Sequence, residues 1–425
     1  MCALMVGLPD VKVLAVQDDD PLTALRVHVE TTVEQAGCEG CGTRARLKDR
    51  RAVALVDLSA FGRPAVLVWH KRRWVCPEAD CDVGSFTEVD ARIAASRSRV
   101  TDRAGRWVCA QVGRDGRSVA EVARELGCDW HTVMDAVLAY GTPLIEDPER
   151  IGDVTALGLD ETLFARCGPH RTRSWCTSIV DVNTPARLLD IVEGRTSTAP
   201  SDWLKRRPAE WRQAIRWATL DLSGAYRKTF NDTLPHATQI ADPFHVVKLA
   251  NSKLDECRRR VQNETLGHRG RKDDPLYRSR RLLTKGADRL DDAGNAKLLG
   301  FLEAGDPHGD VRMTWHTKET LRGVYNRDDL AEATTWLDEL IDDCADEDFP
   351  PEVNSLGRTL ARWRDQILAW HQAKVSNGPT EATNNLIKRI KRIGFGFRKF
   401  THYRTRVLLY CGAPNWNLLP AVTPR

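Results

Sequence analysis

Three acidic residues stand where the sequence pattern gives a carboxylate something to do. Asp160 closes the apolar run VTALGLD and Asp221 closes IRWATLD. A carboxylate at the C-terminal end of a strand in an α/β sheet opens onto the crevice where ligands bind. Glu381 lies in SNGPTEATNN, just after Pro379–Thr380, which reads as a helix start. Further along that helix, Asn384, Asn385 and Lys388 share a face with Glu381. Such a face can hold a metal and a phosphate side by side. Three carboxylates without histidine or cysteine suit hard cations such as Mg or Mn. Two such ions about 3.5–4 Å apart can activate the attacking oxygen and stabilise the leaving one in phosphoryl transfer. Against this stands the ordinary reading of each acid as a cap or a surface charge. For Asp160 taken alone, that ordinary reading is preferred.

A second group has metal-ligand spacing of another kind. Cys38-x2-Cys41 and Cys76-x4-Cys81 form two close pairs. Structural zinc takes four soft ligands, usually from two tight knuckles, and Gly37, Gly40 and Gly42 permit the turns this needs. A small module with little core would gain folding energy from the metal. Four cysteines leave no open metal position, so this is a binding module and not a catalyst. The alternative is a redox pair with two bystander cysteines.

A third pattern is SVAEVARELGCDWHTVMDAVLAY, Ser118–Tyr140, which fits two short helices around a tight turn. Ser118 and Asp129 are N-cap residues, Ala123 allows close helix contact, Gly127 occupies the turn and Val133 fills the core beneath the second helix. Trp130, His131 and Thr132 then begin a recognition helix, where base edges are reached. An ordinary helical hairpin is the competing reading. Beyond Glu381 no acidic residue follows, while Lys388, Arg389, Lys391, Arg392, Arg398, Lys399, Arg404 and Arg406 do. That one-sided charge is either a phosphate-binding surface or a solvated helix face.

The elements that must position these residues follow from pattern. The chain has 425 residues, room for roughly two to four domains. Its net charge of +4 excludes nothing. Residues 1–90 are β-rich, with VLVWHKRRWVC as a strand, and 91–140 are helical. VTALGLD, SWCTSIVDV, ARLLDIV, IRWATLD and ATQIAD are five strand candidates, and Pro208 breaks the helix expected over Asp202–Ala214. Residues 243–375 read as mostly helical, with a possible linker at Gly267–Pro275. No apolar run reaches the length of a membrane span. The N-terminus MCALMVGLPD lacks the features of a secretory leader. Cys109, Cys128, Cys167, Cys176, Cys257, Cys344 and Cys411 are scattered singly, as reduced thiols are. A cytoplasmic protein is expected, with no membrane partner.

The segments LGLDE, TLDLSGAY, ADPFHVVKLAN and SNGPTEATNNLIKRIKRIGFGFRKF resemble transposases of the ISL-three insertion-sequence family, over nearly the whole chain. The resemblance implies a bacterial, nucleoid-associated DDE transposase whose acidic triad is Asp160, Asp221 and Glu381. It also implies an Asp-x-x-His signature at Asp242 and His245, which either supports the site, handles flanking DNA or merely caps a helix. Trp315, Lys318, Glu319 and Arg322 resemble the family's Trp and Lys-Glu-x-x-Arg helix. Trp315 either stacks on a distorted base or is a core tryptophan.

The expected architecture is an α/β, ribonuclease-H-like catalytic core interrupted by an all-helical insertion. A zinc-binding module and a helix-turn-helix precede it. The expected boundaries are 1–90 for the zinc module, 91–145 for the helix-turn-helix, 150–260 for the first part of the core, 261–375 for the insertion and 376–425 for the last part of the core. The expected activity is binding of terminal inverted repeats, cleavage of double-stranded DNA and transfer to target DNA. It would use two Mg or Mn ions held by the triad and one structural zinc held by Cys38, Cys41, Cys76 and Cys81. Asn384, Asn385, Asp242, His245 and Trp315 would support the site or handle DNA. Lys388, Arg389, Lys391 and Arg392 would hold phosphates. A homo-oligomer is expected because two DNA ends must be joined. The rivals are an inactive DNA-binding regulator and a ribonuclease-H-like nuclease acting on RNA or hybrid duplex.

Overall fold

A computed structural model describes residues 6–8, 10–20 and 23–424. Part of the N-terminal segment read above for a leader, and the side chain of Cys167, lie outside the described residues. The chain divides into two compact units. The first comprises 1–152, 164–173 and 385–425. The second comprises 153–163 and 174–384.

The first unit opens with strands β1 (Val11–Gln17), β2 (Leu25–Thr31), β3 (Arg46–Ala60), β4 (Arg63–Val75) and β5 (Ser85–Thr87). They form one sheet in the order β1-β2-β4-β3, with β5 also on β4. Phe61 and Gly62 join the long β3–β4 hairpin, both at positive φ (53° and 77°), the backbone a two-residue turn needs to match strand twist. Val29, Leu55, Leu67, Trp69 and Ile93 are buried together on one face. Helices α1 (Asp102–Cys109), α2 (Val119–Leu126) and α3 (Trp130–Ile145) follow. The Ser118 side chain and Glu121 form a reciprocal capping box on α2. Gly127 ends α2 at φ 64°, where a Cβ would also lie 2.8 Å from Pro64. Asp129 caps α3, and Val133 is fully buried beneath it. The C-terminal helix α14 (Phe400–Cys411) packs on α3. There Leu409 occupies the space a Cβ on Gly141 would fill. The sequence reading gave 376–425 to the core. The division instead groups 385–425 with this first unit, because the buried Tyr403, Val407, Leu408 and Leu409 face α3 and its neighbours.

The second unit holds β6 (Ala156–Cys167, its last residues in the first unit), β7 (Thr172–Asp181), β8 (Arg187–Glu193), β9 (Trp217–Leu220) and β10 (Thr238–Ala241). All five strand candidates lie here. The sheet order is β10-β9-β6-β7-β8. β6, β9 and β10 run parallel, and β7 and β8 are antiparallel. Between β8 and β9, Pro208 separates α4 (Thr198–Lys205) from α5 (Ala209–Gln213), as its missing N–H requires. Helix α6 (Gly224–Thr233) connects β9 to β10.

From Pro243 onward the described residues are helical: α7 (Pro243–Leu266), α8 (Pro275–Thr284), α9 (Asp292–Gly305), α10 (Asp310–Val324), α11 (Leu330–Asp343), α12 (Pro351–Ala373) and α13 (Gly378–Ile393). Leu254, Cys257, Val261, Leu276, Leu298, Leu302 and Trp315 make a core shared by α7 to α10. The stretch Gly267–Pro275 is a structured turn. Gly267 caps α7 at φ 70°, Gly270 packs on Gln262, and the Asp274 carboxylate accepts the Arg271 N–H. No helix among the described residues is long and apolar enough to cross a membrane.

Candidate active site

Register places three acids in one row. In the parallel pairing, Leu159 of β6 and Ala241 of β10 both lie opposite Leu220 of β9. The next residues are Asp160, Asp221 and Asp242, on neighbouring strands about 4.8 Å apart. The three acids behave differently because their partners differ.

Asp160 is held at both oxygens. Oδ1 accepts the Glu161 N–H at 2.7 Å, and Oδ2 accepts the Asn384 amide at 2.7 Å. The Ser178 hydroxyl lies 2.9 Å from the Asn384 Oδ1, which orients that amide. Asp221 is less satisfied. Its Oδ1 is buried with no hydrogen-bond partner. Burial first, then the charge of Asp160, pushes its carboxyl up to about 6, with His245 and Lys248 opposing the shift. A buried oxygen without a donor, beside a second carboxylate, fits a cation as the missing partner.

Asp242 is committed to the protein. It is 3 % exposed. Oδ1 accepts the Asn377 N–H at 2.8 Å, and Oδ2 lies 3.0 Å from Nδ1 of His245. It occupies the N-cap position of α7, yet its side chain makes no cap bond, so the helix-capping reading is replaced by these two contacts. The Asp242 hydrogen bond raises the His245 pKa, against partial burial, and the charges of Asp221 and Asp160 add to it.

Glu381 is exposed in the first turn of α13 and has no side-chain hydrogen bond or ion pair among the described residues. Its helix, however, is anchored to the acidic row. Asn377 donates its amide to the Leu159 carbonyl at 3.4 Å, accepts the Thr219 hydroxyl at 3.0 Å, and its carbonyl accepts the Glu381 N–H at 3.1 Å. Gly158 makes this approach possible: a Cβ there would lie 2.4 Å from Thr380 Oγ1 and 2.7 Å from Asn377 Oδ1. The structure therefore brings Asp160 and Asp221 together and fixes the start of the Glu381 helix to their strands through Asn377 and Asn384. Among the described residues, Glu381 makes no hydrogen bond to either aspartate. Sequence reasoning missed Gly158, Ser178 and Asn377. The segment SNGPTE held a signal for Asn377, a helix-start asparagine, but nothing in it named a partner.

Other candidates separate by exposure. Asn385, Lys388, Arg389 and Arg392 are exposed and Lys391 is partly so. Arg389 lies over Tyr410 at 5.7 Å. Arg404 pairs with Glu146 at 2.6 Å. Arg406 is buried and donates to the Arg117 carbonyl at 2.9 Å, so it belongs to the core and not to a phosphate surface. Trp315 is 6 % exposed within the helical core, which fits the core reading of this tryptophan and not the base-stacking one. Nearby, Lys318 donates to the carbonyls of Leu283 and Lys285, and Arg322 pairs with Glu319 and Asp288. That motif clamps α10 to the end of α8.

In the helix-turn-helix, Trp130 and His131 are exposed, and Trp130 leans on His402, with centroids 5.7 Å apart. Thr132 is a correction. It is 5 % exposed, and its hydroxyl donates to the capping Asp129 at 3.0 Å, so it serves the cap and presents nothing to a groove.

The four cysteines converge. Their sulfurs lie within 4.8 Å of one another, with Cys38–Cys81 at 3.6 Å and Cys41–Cys76 at 3.5 Å. A tetrahedral site with Zn–S near 2.3 Å puts sulfurs about 3.8 Å apart. The close contacts join the two knuckles to each other, which a Cys38–Cys41 redox pair would not do. Gly40 is needed, because a Cβ there would lie 2.7 Å from Val83. The Thr43 hydroxyl and N–H pull the Cys41 thiol down to about 6, as suits a thiolate ligand.

A family described as "Transposase" matches residues 157–407. The "Helix-turn-helix domain of transposase family ISL3" matches 89–141. The "zinc-finger of transposase IS204/IS1001/IS1096/IS1165" matches 34–81. The chain is 27 % identical to the transposase for insertion sequence element IS1001 of Bordetella parapertussis, over 92 % of each chain. It is 26 % identical to the transposase for IS1557 of Mycobacterium tuberculosis, over 90 % of this chain and 88 % of that one.

Proposed function

Since the chain belongs to the ISL3 family of transposases and carries that family's helix-turn-helix and zinc-finger domains, we propose that Asp160, Asp221 and Glu381 are the acids with which this DNA-binding transposase cuts and joins DNA. The substrate in this reading is the terminal inverted repeat of an insertion sequence, and the products are strands joined to target DNA. The observation that carries it is the strand-end pair. Asp160 and Asp221 sit in register on parallel strands, Asp221 has a buried oxygen without a partner, and the amide of Asn384 reaches Asp160 from the Glu381 helix. A five-stranded sheet with an antiparallel β7–β8 pair and parallel β6, β9 and β10 supports a ribonuclease-H-like core. The helices α7 to α12, between Asp221 and Glu381 in sequence, are then the insertion.

Asp160, Asp221 and Glu381 would hold the ions. Mg or Mn bound there would supply positive charge that activates the attacking oxygen and offsets the negative charge building on the leaving oxygen of a phosphodiester. The chain's own part is preorganisation. Asn384 and the Glu161 N–H fix the rotamer of Asp160. Asp242, satisfied by Asn377, holds His245 by its Nδ1 beside the acidic row. Lys388, Arg389, Lys391 and Arg392 would meet phosphates, and Trp130 and His131 would meet the repeat. The cysteine cluster would hold zinc and stabilise the module that carries it. Two chains or more would assemble on paired ends.

The test is cleavage of a duplex carrying the element's own inverted repeat, in Mg. Unchanged cleavage by Asp221→Asn or Glu381→Gln would sink the three-acid assignment. Cleavage of RNA–DNA hybrid in place of repeat DNA would favour the nuclease.

A further inference from the structure

Trp315 is buried, and a different aromatic residue stands open close to the acidic row. Phe244, the second residue of α7, is 53 % exposed. It follows Asp242 by two positions and meets His245 edge-on, with centroids 5.3 Å apart. Phe244 lines a groove of ≈ 420 Å³ shared with Pro243, Thr284, Arg289, Tyr325 and Asn326. That volume lies within the range of small-molecule sites, about 300–1,000 Å³.

We propose that this groove seats an unpaired base of the DNA strand being processed, stacked on Phe244, with its phosphate met by Arg289 and Lys248. Three features fit one nucleotide and no simpler occupant. The ring offers a π-face that tolerates any base. The Lys248 ammonium lies 5.8 Å from the ring centre. Lys248 and Arg289 are both exposed and, among the described residues, form no ion pair. Two exposed cations beside an open aromatic ring, neither closed into an ion pair among the described residues, complement an aromatic anion. An apolar peptide would leave both charges unused. The Tyr325 hydroxyl is buried without a hydrogen-bond partner among the described residues, and Asn326 also lines the groove. Both can read the polar edge of a base. The Tyr325 ring is fixed, packed edge-on against Trp370 at 5.4 Å and parallel to His371 at 6.3 Å.

Position supplies the role. Asp242 lies in register with Asp221 on the neighbouring strand, and Phe244 follows it by two residues at the start of α7. A strand whose backbone passes Asp221 therefore runs on toward Phe244. A base paired in duplex cannot stack there, so the groove would favour melted ends.

The inference rests on DNA as the substrate and not on the three-acid reading, and its test adds no divalent ion, so the two can fail separately. The full chain is titrated by fluorescence anisotropy with a blunt duplex and with the same duplex bearing a short single-stranded flap. The wild type should bind the flapped duplex more tightly, by roughly 5- to 150-fold if one base stacks. Phe244→Ala should lose that preference while keeping blunt-duplex affinity. Phe244→Trp should keep it and show emission quenched by the flap beyond the wild-type background. Arg289→Ala should lower the salt dependence by about one counterion. A wild type without flap preference, or a Phe244→Ala chain that retains it, overturns the proposal. Should Phe244→Ala lose blunt-duplex binding as well, Phe244→Trp decides: quenching supports the seat, and its absence overturns it.

Discussion

Replacing Asp221 with asparagine should make the metal-free protein more stable while removing its chemistry. The buried carboxylate has its pKa raised from 3.8 to about 6 by burial and by Asp160. A shift of roughly two pH units corresponds to about 3 kcal/mol between the charged and neutral forms. The sign follows from linkage. Well below pH 3.8 the carboxyl is protonated in both the folded and unfolded chain and costs nothing. Between pH 4 and 6 the unfolded chain ionises first, so stability falls as pH rises. Above pH 6 the full penalty is present. Asp221 is only partly shielded from solvent, and screening cuts the net gain to about half, roughly 1–2 kcal/mol. For a unit of this size that raises the melting temperature by about 2–8 °C. The assay is thermal unfolding of wild type and Asp221→Asn at pH 4 and pH 7.5, with and without Mg or Mn. The variant should melt higher at pH 7.5, nearly equally at pH 4, and should not respond to the ion. The wild type should gain about 1.4 kcal/mol at an ion concentration ten times its Kd. A variant that melts lower than wild type at pH 7.5 without metal would refute the claim that Asp221 is held uncompensated.

Four further outcomes are expected. Cys38→Ser with Cys41→Ser should abolish stoichiometric zinc, read by metal analysis, and weaken repeat binding; a double variant that still carries one zinc per chain contradicts the assignment. Asn384→Ala should release Asp160 and lower ion affinity about 10- to 100-fold, measured as the Mg dependence of cleavage, whereas an unchanged dependence would remove Asn384 from the site. Gly158→Ala should cost about 1–3 kcal/mol by overpacking and depress cleavage, and Thr380→Ala should restore part of both by clearing the nearest clash; a fully active Gly158→Ala chain would show that the close approach is dispensable. Trp315→Ala should cost about 3–5 kcal/mol in chemical unfolding with cleavage per folded molecule intact, so an active-site defect without destabilisation would return that residue to DNA handling.

Much of the frame was legible in the sequence because it rests on local signals. Ser118, Gly127 and Asp129 mark their helix ends by side-chain chemistry alone, and all three act where the pattern puts them. The five strands of the second unit are apolar and β-branched. The paired cysteines announce a cluster by spacing. What stayed hidden depends on partners far apart in the chain. Asp242 before Pro243 leaves site support, DNA handling and helix capping open, and only the fold supplies Asn377, which takes one of its oxygens. Thr132 reads as a groove contact because it begins a recognition helix, yet the capping carboxylate one turn back claims its hydroxyl. Gly158 gives no local hint at all, since its need comes from Asn377 and Thr380. Trp315 and Phe244 show the same limit: periodicity locates an aromatic residue on a helix but does not say whether a neighbouring helix covers it.

The central claim is that Asp160, Asp221 and Glu381 act as one ion-binding set, and Glu381 is its least anchored member. The most direct measurement is anomalous diffraction from crystals of the full chain bound to its repeat duplex and soaked in Mn. The account predicts Mn density touching both Asp160 and Asp221, with the Glu381 carboxylate at about 2.0–2.2 Å from an ion. Ordered Mn elsewhere with none between the two aspartates, or Glu381 turned away from a filled site, would contradict it.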